Sequence, residues 1–300
     1  MSSDSPANSP AHPRRRGHLH ELQATYRYLR LAIILLMLLL GFSVVLQIAA
    51  DDGKVLPSVS AYYHSPARDV FVASLCAFGT CLIIHRGRSD TEDVLLNGAG
   101  YLSFFIAFVP TTPAHARGEA GAGLSEEFIV AATQNTWALL AAGLVGLIIE
   151  IVVLPQRERH RRSRRGRVVL VAGVLAYIAL VAVFVLAREF FLTYAHAAAA
   201  ILWFVCIVAI VGIHAIAATR SKAEQHSDEG RAWMNRYTLG FALIMLTLPL
   251  FAGPVRMAGV EHWLFLLEAV VLVEFLVFWV IQTAERWHVP TRRADELLPA

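Results

Sequence analysis

The sequence predicts an all-α, polytopic transmembrane helix bundle of eight spans with both termini inside, and three observations lead there. Of its 300 residues 57% are apolar and only 16% charged, and the mean hydropathy is +0.56, outside the composition of a water-soluble domain. The apolar residues gather in eight runs, each close to the roughly 20 helical residues that cross about 30 Å of hydrocarbon. Lysine and arginine fall mostly in alternate connections between those runs.

The runs lie near 29–50, 66–85, 94–110, 130–154, 168–187, 195–218, 237–253 and 263–283. Each is read as a helix, because a lone segment in lipid must satisfy its own backbone hydrogen bonds, and the short alternating strands of a barrel are absent. Residues 1–28 precede the first run as a basic tail rich in Ser, Pro and Arg, expected to be disordered. Residues 31–50 are too long for the core of a signal peptide, so the first span is expected to be retained. The third run is short, and Pro249 and Pro254 interrupt the far end of the seventh. Residues 285–300 form a second tail, which leaves 29–284 as the bundle.

Charge sets the orientation. One side of the eight runs receives 21 basic residues, including Arg14, Arg15 and Arg16, Arg86 and Arg88, and the arginine cluster 157–167. The other receives five: Lys54, Arg68, Arg117, Arg188 and Arg256. The basic side is therefore expected to be cytoplasmic. The cluster 157–167 is read as a topology anchor beside anionic lipid, and no nucleic-acid partner is expected. Cys76, Cys81 and Cys206 all lie inside apolar runs, where they act as small hydrophobes and offer no disulfide framework or C-x-x-C clip.

The segment from Ser58 through Ala61-Tyr62-Tyr63-His64-Ser65-Pro66-Ala67-Arg68-Asp69 to Val72, with Glu92-Asp93, Asn97-Gly98-Ala99-Gly100 and Phe108-Val109-Pro110-Thr111, resembles an uncharacterised bacterial family of multi-pass membrane proteins. That family is distantly similar to the DRAM-like membrane proteins. The similarity covers 57–113 well and 190–283 loosely. It implies a six-helix inner-membrane protein with no established reaction, so the pair of runs over 130–187 is an addition to the pattern.

Candidate functional residues fall in two groups. In the first, an outer loop enters the second span, with Ser65 as a cap and Pro66 in the first turn. Tyr62, Tyr63, His64, Arg68 and Asp69 then stand at the headgroup level, either as an interfacial anchor with Arg68 and Asp69 paired, or as the rim of a pocket that holds a phosphate or carboxylate. Outer histidines His64, His115, His196 and His262 supply zinc-ligand types without any ligand spacing, so no metal or other cofactor is expected and a metal site is the lesser alternative. The second group is buried: Glu274 lies about 16 Å into the last span, near the midplane, so it is protonated or paired. Glu268 lies nearer the outer surface, and Asn97 can bridge helices. Glu150 and His214 sit about one turn from the basic ends of their spans, within reach of water. Gly98, Gly100, Gly143 and Gly146 suit close helix approach.

No phosphate-binding G-x-x-x-x-G-K-[ST] loop and no G-x-S-x-G elbow occurs. The leading functional expectation is a noncatalytic membrane protein binding a lipid or small amphiphile in an outward-facing polar pocket. The alternatives are a metal-dependent membrane hydrolase using the outer histidines, and a carrier coupled to protons through Glu274. Membrane lipids are the expected partners, with a second copy of the chain left open.

Overall fold

The computed structural model describes residues 13–87, 89–112, 125–153, 163–221, 228–285 and 287. Among these residues the chain forms eight α-helices and no strand: α1 Pro13–Ala50, α2 Arg68–Ile84, α3 Asp90–Phe108, α4 Glu126–Ile148, α5 Arg164–Leu186, α6 Arg188–Ser221, α7 Asp228–Leu250 and α8 Trp263–Glu285. Every expected run coincides with one helix. Serines start three of them: Ser89, Ser125 and Ser163 accept the backbone N–H of Glu92, Phe128 and Gly166.

Two expectations need correction. Residues 13–28, expected to be disordered, continue α1 toward the N-terminus. Pro13 suits a first helical position, and once 29–50 is helical each further residue adds a hydrogen bond without new nucleation. The prolines of the seventh run do not end it at 253 either. Pro249 lies inside α7, and the chain then widens into a π-turn, Phe251–Val255, that carries Pro254. Residues 1–12 and 288–300 lie outside the described residues.

Six helices are long and apolar enough to cross a membrane: Gln23–Ala50, Glu126–Val153, Arg164–Leu186, Arg188–Ala217, Arg236–Val255 and Trp263–Glu285. Of the two that fall short, α2 and α3, the second has no exposed residue along its length. The 17 residues of α2 extend about 26 Å at 1.5 Å per residue, and α3 opens on Asp90, Glu92 and Asp93. Since α3 packs against α2, α4, α5 and α6, it has little surface left for lipid and tolerates a more polar composition.

Helix direction alternates along the chain. The start of the apolar part of α1 meets the end of α8 through Arg30 Nη1 and Gln282 O at 3.2 Å, and at the opposite end Val109 O beyond α3 bonds His196 near the start of α6 at 2.9 Å. Neighbour contacts run α1–α2–α3–α6–α7–α8 and back to α1, closing a ring of six helices. The pair α4 and α5 stands outside it against α3, fixed by Tyr101 Oη to Leu139 O at 2.9 Å and by Ser163 N to Asp90 Oδ2 at 2.8 Å.

Aromatic rings fill the centre. Phe78 of α2, Trp203 of α6 and Phe275 of α8 touch one another at centroid separations of 5.7 to 6.1 Å. The indole N–H of Trp203 is satisfied by Ser103 Oγ on α3 at 3.0 Å. Where α2 and α3 cross, Gly79 and Gly100 let the backbones meet: a Cβ built at Gly100 would fall 2.6 Å from Gly79 O, and one at Gly79 would fall 2.7 Å from Gly100 O. Of the expected close-approach glycines, Gly100 serves that purpose, while Gly146 has nothing within 4 Å.

Candidate functional site

At the end away from the start of α1, residues 51–67 fold over the helix ends. A 3₁₀ turn, Ser60–His64, buries Ala61, Tyr62 and Tyr63. Glu268 of α8 accepts the Ser60 N–H at 3.1 Å, which places a carboxylate at the start of that turn and ties the loop to the bundle. Tyr62 is fully buried and its hydroxyl accepts the Leu56 N–H at 3.3 Å. Burial pushes the Tyr62 hydroxyl above its ordinary pKa, against that hydrogen bond, so it stays a neutral phenol. Ser65 Oγ accepts the Ala67 N–H at 3.2 Å and donates to Tyr62 O at 2.7 Å, one residue ahead of the regular helix.

Arg68 pairs with Tyr63 and not with Asp69. Its guanidinium stands 4.5 Å from the centroid of the Tyr63 ring, and Nη2 donates to the Tyr63 hydroxyl at 2.7 Å. Both Arg68 and Asp69 are exposed. His64 bonds Thr111 O at 2.8 Å, while His196 is buried with Nδ1 on Val109 O and Nε2 without a hydrogen-bond partner. Among the described residues no three His, Cys, Asp or Glu side chains gather as a metal site, and His115 lies outside those residues. The expected outer set is therefore not one cavity. It divides into a loop clamp (Tyr62, Glu268), an exposed rim (His64, Arg68, Asp69) backed by the buried Tyr63, and a buried histidine, while Asn97 stands half-buried on α3.

Glu274 is half-buried within α8, and its Oε1 accepts the Thr247 hydroxyl of α7 at 2.6 Å. Oε2 has no partner.

The densest polar junction lies at the other, arginine-rich end, and sequence reasoning missed it. Five of the six ring helices contribute there, together with the residue that follows α2. Glu92 of α3 and His214 of α6 meet at 2.9 Å, Oε1 to Nε2, with side-chain exposures of 2% and 0%. Gln282 of α8 places its amide Nε2 also 2.9 Å from His214 Nε2. Arg30 of α1 is buried, with its guanidinium on Gln282 O and its own carbonyl accepting the Trp279 indole N–H at 3.3 Å. His85, just beyond α2, is buried edge-on against Trp279. Tyr237 of α7 stacks on His214 and hydrogen-bonds Glu285.

The α2–α3 connection presses on this junction. Gly87 lies so near Glu92 that a Cβ there would fall 2.6 Å from the Glu92 Cγ. The Gly87 N–H is held by Asp93 Oδ1 at 2.6 Å, and Arg86 pairs with Asp93 at 3.7 Å.

The position of His214 corrects the reading that it reaches toward water. The helix continues to Ser221, seven residues past His214 and about 10 Å, so the ring lies too deep to emerge. Glu92 carried a misleading local signal. Ser89 followed three residues later by Glu92 is a capping-box spacing, which explains a glutamate at a helix start without any tertiary partner. The useful signal was the lone histidine in the apolar stretch 207–217, since an ionisable group inside such a run calls for a partner.

No family model, curated protein or solved structure matches this chain. Its architecture is that of a helical bundle with six membrane-length apolar helices.

Proposed function

We propose that this chain is an eight-span inner-membrane protein of bacterial type with both termini cytoplasmic, and that it binds an anionic lipid or amphiphile at its outer rim through Arg68. The distribution of basic residues supports the orientation, and the alternating helix directions support crossings by α2 and α3 as well as by the six longer helices. One observation carries the binding reading. Arg68 is exposed, held over Tyr63 by a stacking contact and a 2.7 Å hydrogen bond, and has no carboxylate partner among the described residues. A guanidinium fixed in place but not neutralised is prepared for a phosphate or carboxylate.

The test is native mass spectrometry of the protein released from nanodiscs containing phosphatidylglycerol and phosphatidylcholine. Arg68→Ala removes charge-assisted hydrogen bonds worth about 1.5–3 kcal/mol, so retention of phosphatidylglycerol should fall roughly ten- to hundredfold. Arg117→Ala, at the next outer connection, should leave it unchanged. Equal losses in both variants would reduce the effect to general surface charge and overturn the reading.

A further inference from the structure

We propose that Glu92, His214 and Gln282 form a proton-binding site at the junction of the six ring helices, with Glu92 as the group that takes up the proton. The argument begins with valence. An imidazole nitrogen has one in-plane position, either an N–H or a lone pair. At His214 Nε2 that position faces two partners at once: Glu92 Oε1 and the Gln282 amide, each at 2.9 Å. An ionised Glu92 requires an N–H there, whereas the Gln282 NH₂ requires a lone pair. A single protonation state satisfies both only if one partner reorients.

The other side of the ring decides where an added proton goes. His214 Nδ1 is buried and has no hydrogen-bond partner. A doubly protonated ring would bury an unsatisfied N–H at Nδ1, a donor cut off from water. The ring therefore keeps its proton on Nε2 and donates it to Glu92. An added proton then goes to the Glu92 carboxylate: one O–H bond forms, the proton comes from water, and the carboxyl still accepts from Nε2. Gln282 Oε1 is a buried acceptor that no donor reaches. Turning the amide over brings that oxygen into the contact that Nε2 now holds with His214, where it shares the ring N–H with the neutral carboxyl. Proton uptake thus rewrites the bonds that join α3, α6 and α8.

Charged and titratable groups surround the site from each packed element: Arg30 on α1, His85 and Arg86 beyond α2, Asp93 on α3, Tyr237 on α7 and Glu285 on α8. Gly87 covers Glu92 on the arginine-rich side. This places the proton site at Glu92, at a different depth from the Glu274 that a midplane argument favours, and it stands apart from lipid binding at Arg68.

Infrared difference spectra of the full chain in nanodiscs test it, recorded between pH steps across roughly pH 4 to 9, where carboxyl and imidazole groups titrate. The carboxyl C=O stretch of the wild-type protein should include a band that is lost in Glu92→Gln and shifted in Glu92→Asp. The same band should persist in Glu268→Gln and Glu274→Gln. A Glu92→Gln protein that keeps every titrating carboxyl band overturns the proposal. If Glu92→Gln does not fold, the wild-type band that survives both Glu268→Gln and Glu274→Gln must still shift in Glu92→Asp. Its absence, or an unshifted band, overturns the proposal equally.

Discussion

Placing a methyl group at Gly100 tests whether α2 and α3 are held at a backbone contact. A Cβ there would lie 2.6 Å from Gly79 O and 2.6 Å from Ile83 Cγ1, whereas ordinary contact begins near 3.4 Å. The Ile83 side chain can rotate, but a helix carbonyl cannot, so Gly100→Ala must part the two helices by about 0.8 Å. Overpacking of this kind costs about 1–3 kcal/mol. A gap of that size also forfeits a quarter to a half of the dispersion energy of the contacts beside it, and the helix-propensity gain of Ala offsets up to about 1 kcal/mol of this, which places Gly100→Ala near 2 kcal/mol. Gly79→Ala makes the reciprocal clash at 2.7 Å and should cost about the same. The two methyls share one gap, so the double variant should fall short of the sum of the singles by about 1 kcal/mol or more. Gly146→Ala, with nothing within 4 Å, is the control and should gain up to about 1 kcal/mol from helix propensity. Unfolding of the purified protein in mixed detergent micelles, followed by circular dichroism as the denaturing detergent fraction rises, gives all four values. A Gly100→Ala protein that unfolds together with Gly146→Ala would refute the contact.

Two further expectations follow from the same structure. Glu274 and Thr247 form one interhelical hydrogen bond at 2.6 Å, and such bonds are worth only about 0.6 kcal/mol on average in membranes. Glu274→Gln should therefore keep nearly all thermal stability in detergent, and Glu274→Leu should lose about 1 kcal/mol or less; a larger loss would mean that the carboxylate does more than bond Thr247. For topology, reporters fused after Arg165 and after Ala300 should behave as cytoplasmic and one near Ala120 as external, and an external reporter at Arg165 would break the eight-span orientation.

The number and position of the helices were legible because the length of an apolar run is a local property, and each run fixes its own backbone hydrogen bonds in lipid. Residues 13–28 were not, because a basic, proline-bearing segment says nothing of whether a neighbouring helix will extend into it. The site was less legible still, and the reason is geometric. Sequence gives the depth of a residue along its helix but not the direction of its side chain around the ring. Glu274 is deep, yet it stands half-buried with one partner on α7. Glu92 is three residues into α3, shallow by count, yet it is sealed at 1% exposure. Two nonlocal facts seal it: α6 runs seven residues past His214, and the Gly87 turn folds back over the carboxyl. Arg68 shows the converse error, since its nearest opposite charge in sequence is Asp69 but adjacent helical residues diverge by about 100°, and the guanidinium turns back to the Tyr63 ring one loop earlier. For an ionisable group in a bundle like this one, depth ranks the cost of leaving it alone, whereas azimuth decides whether it is alone, and only the packed ring supplies the azimuth.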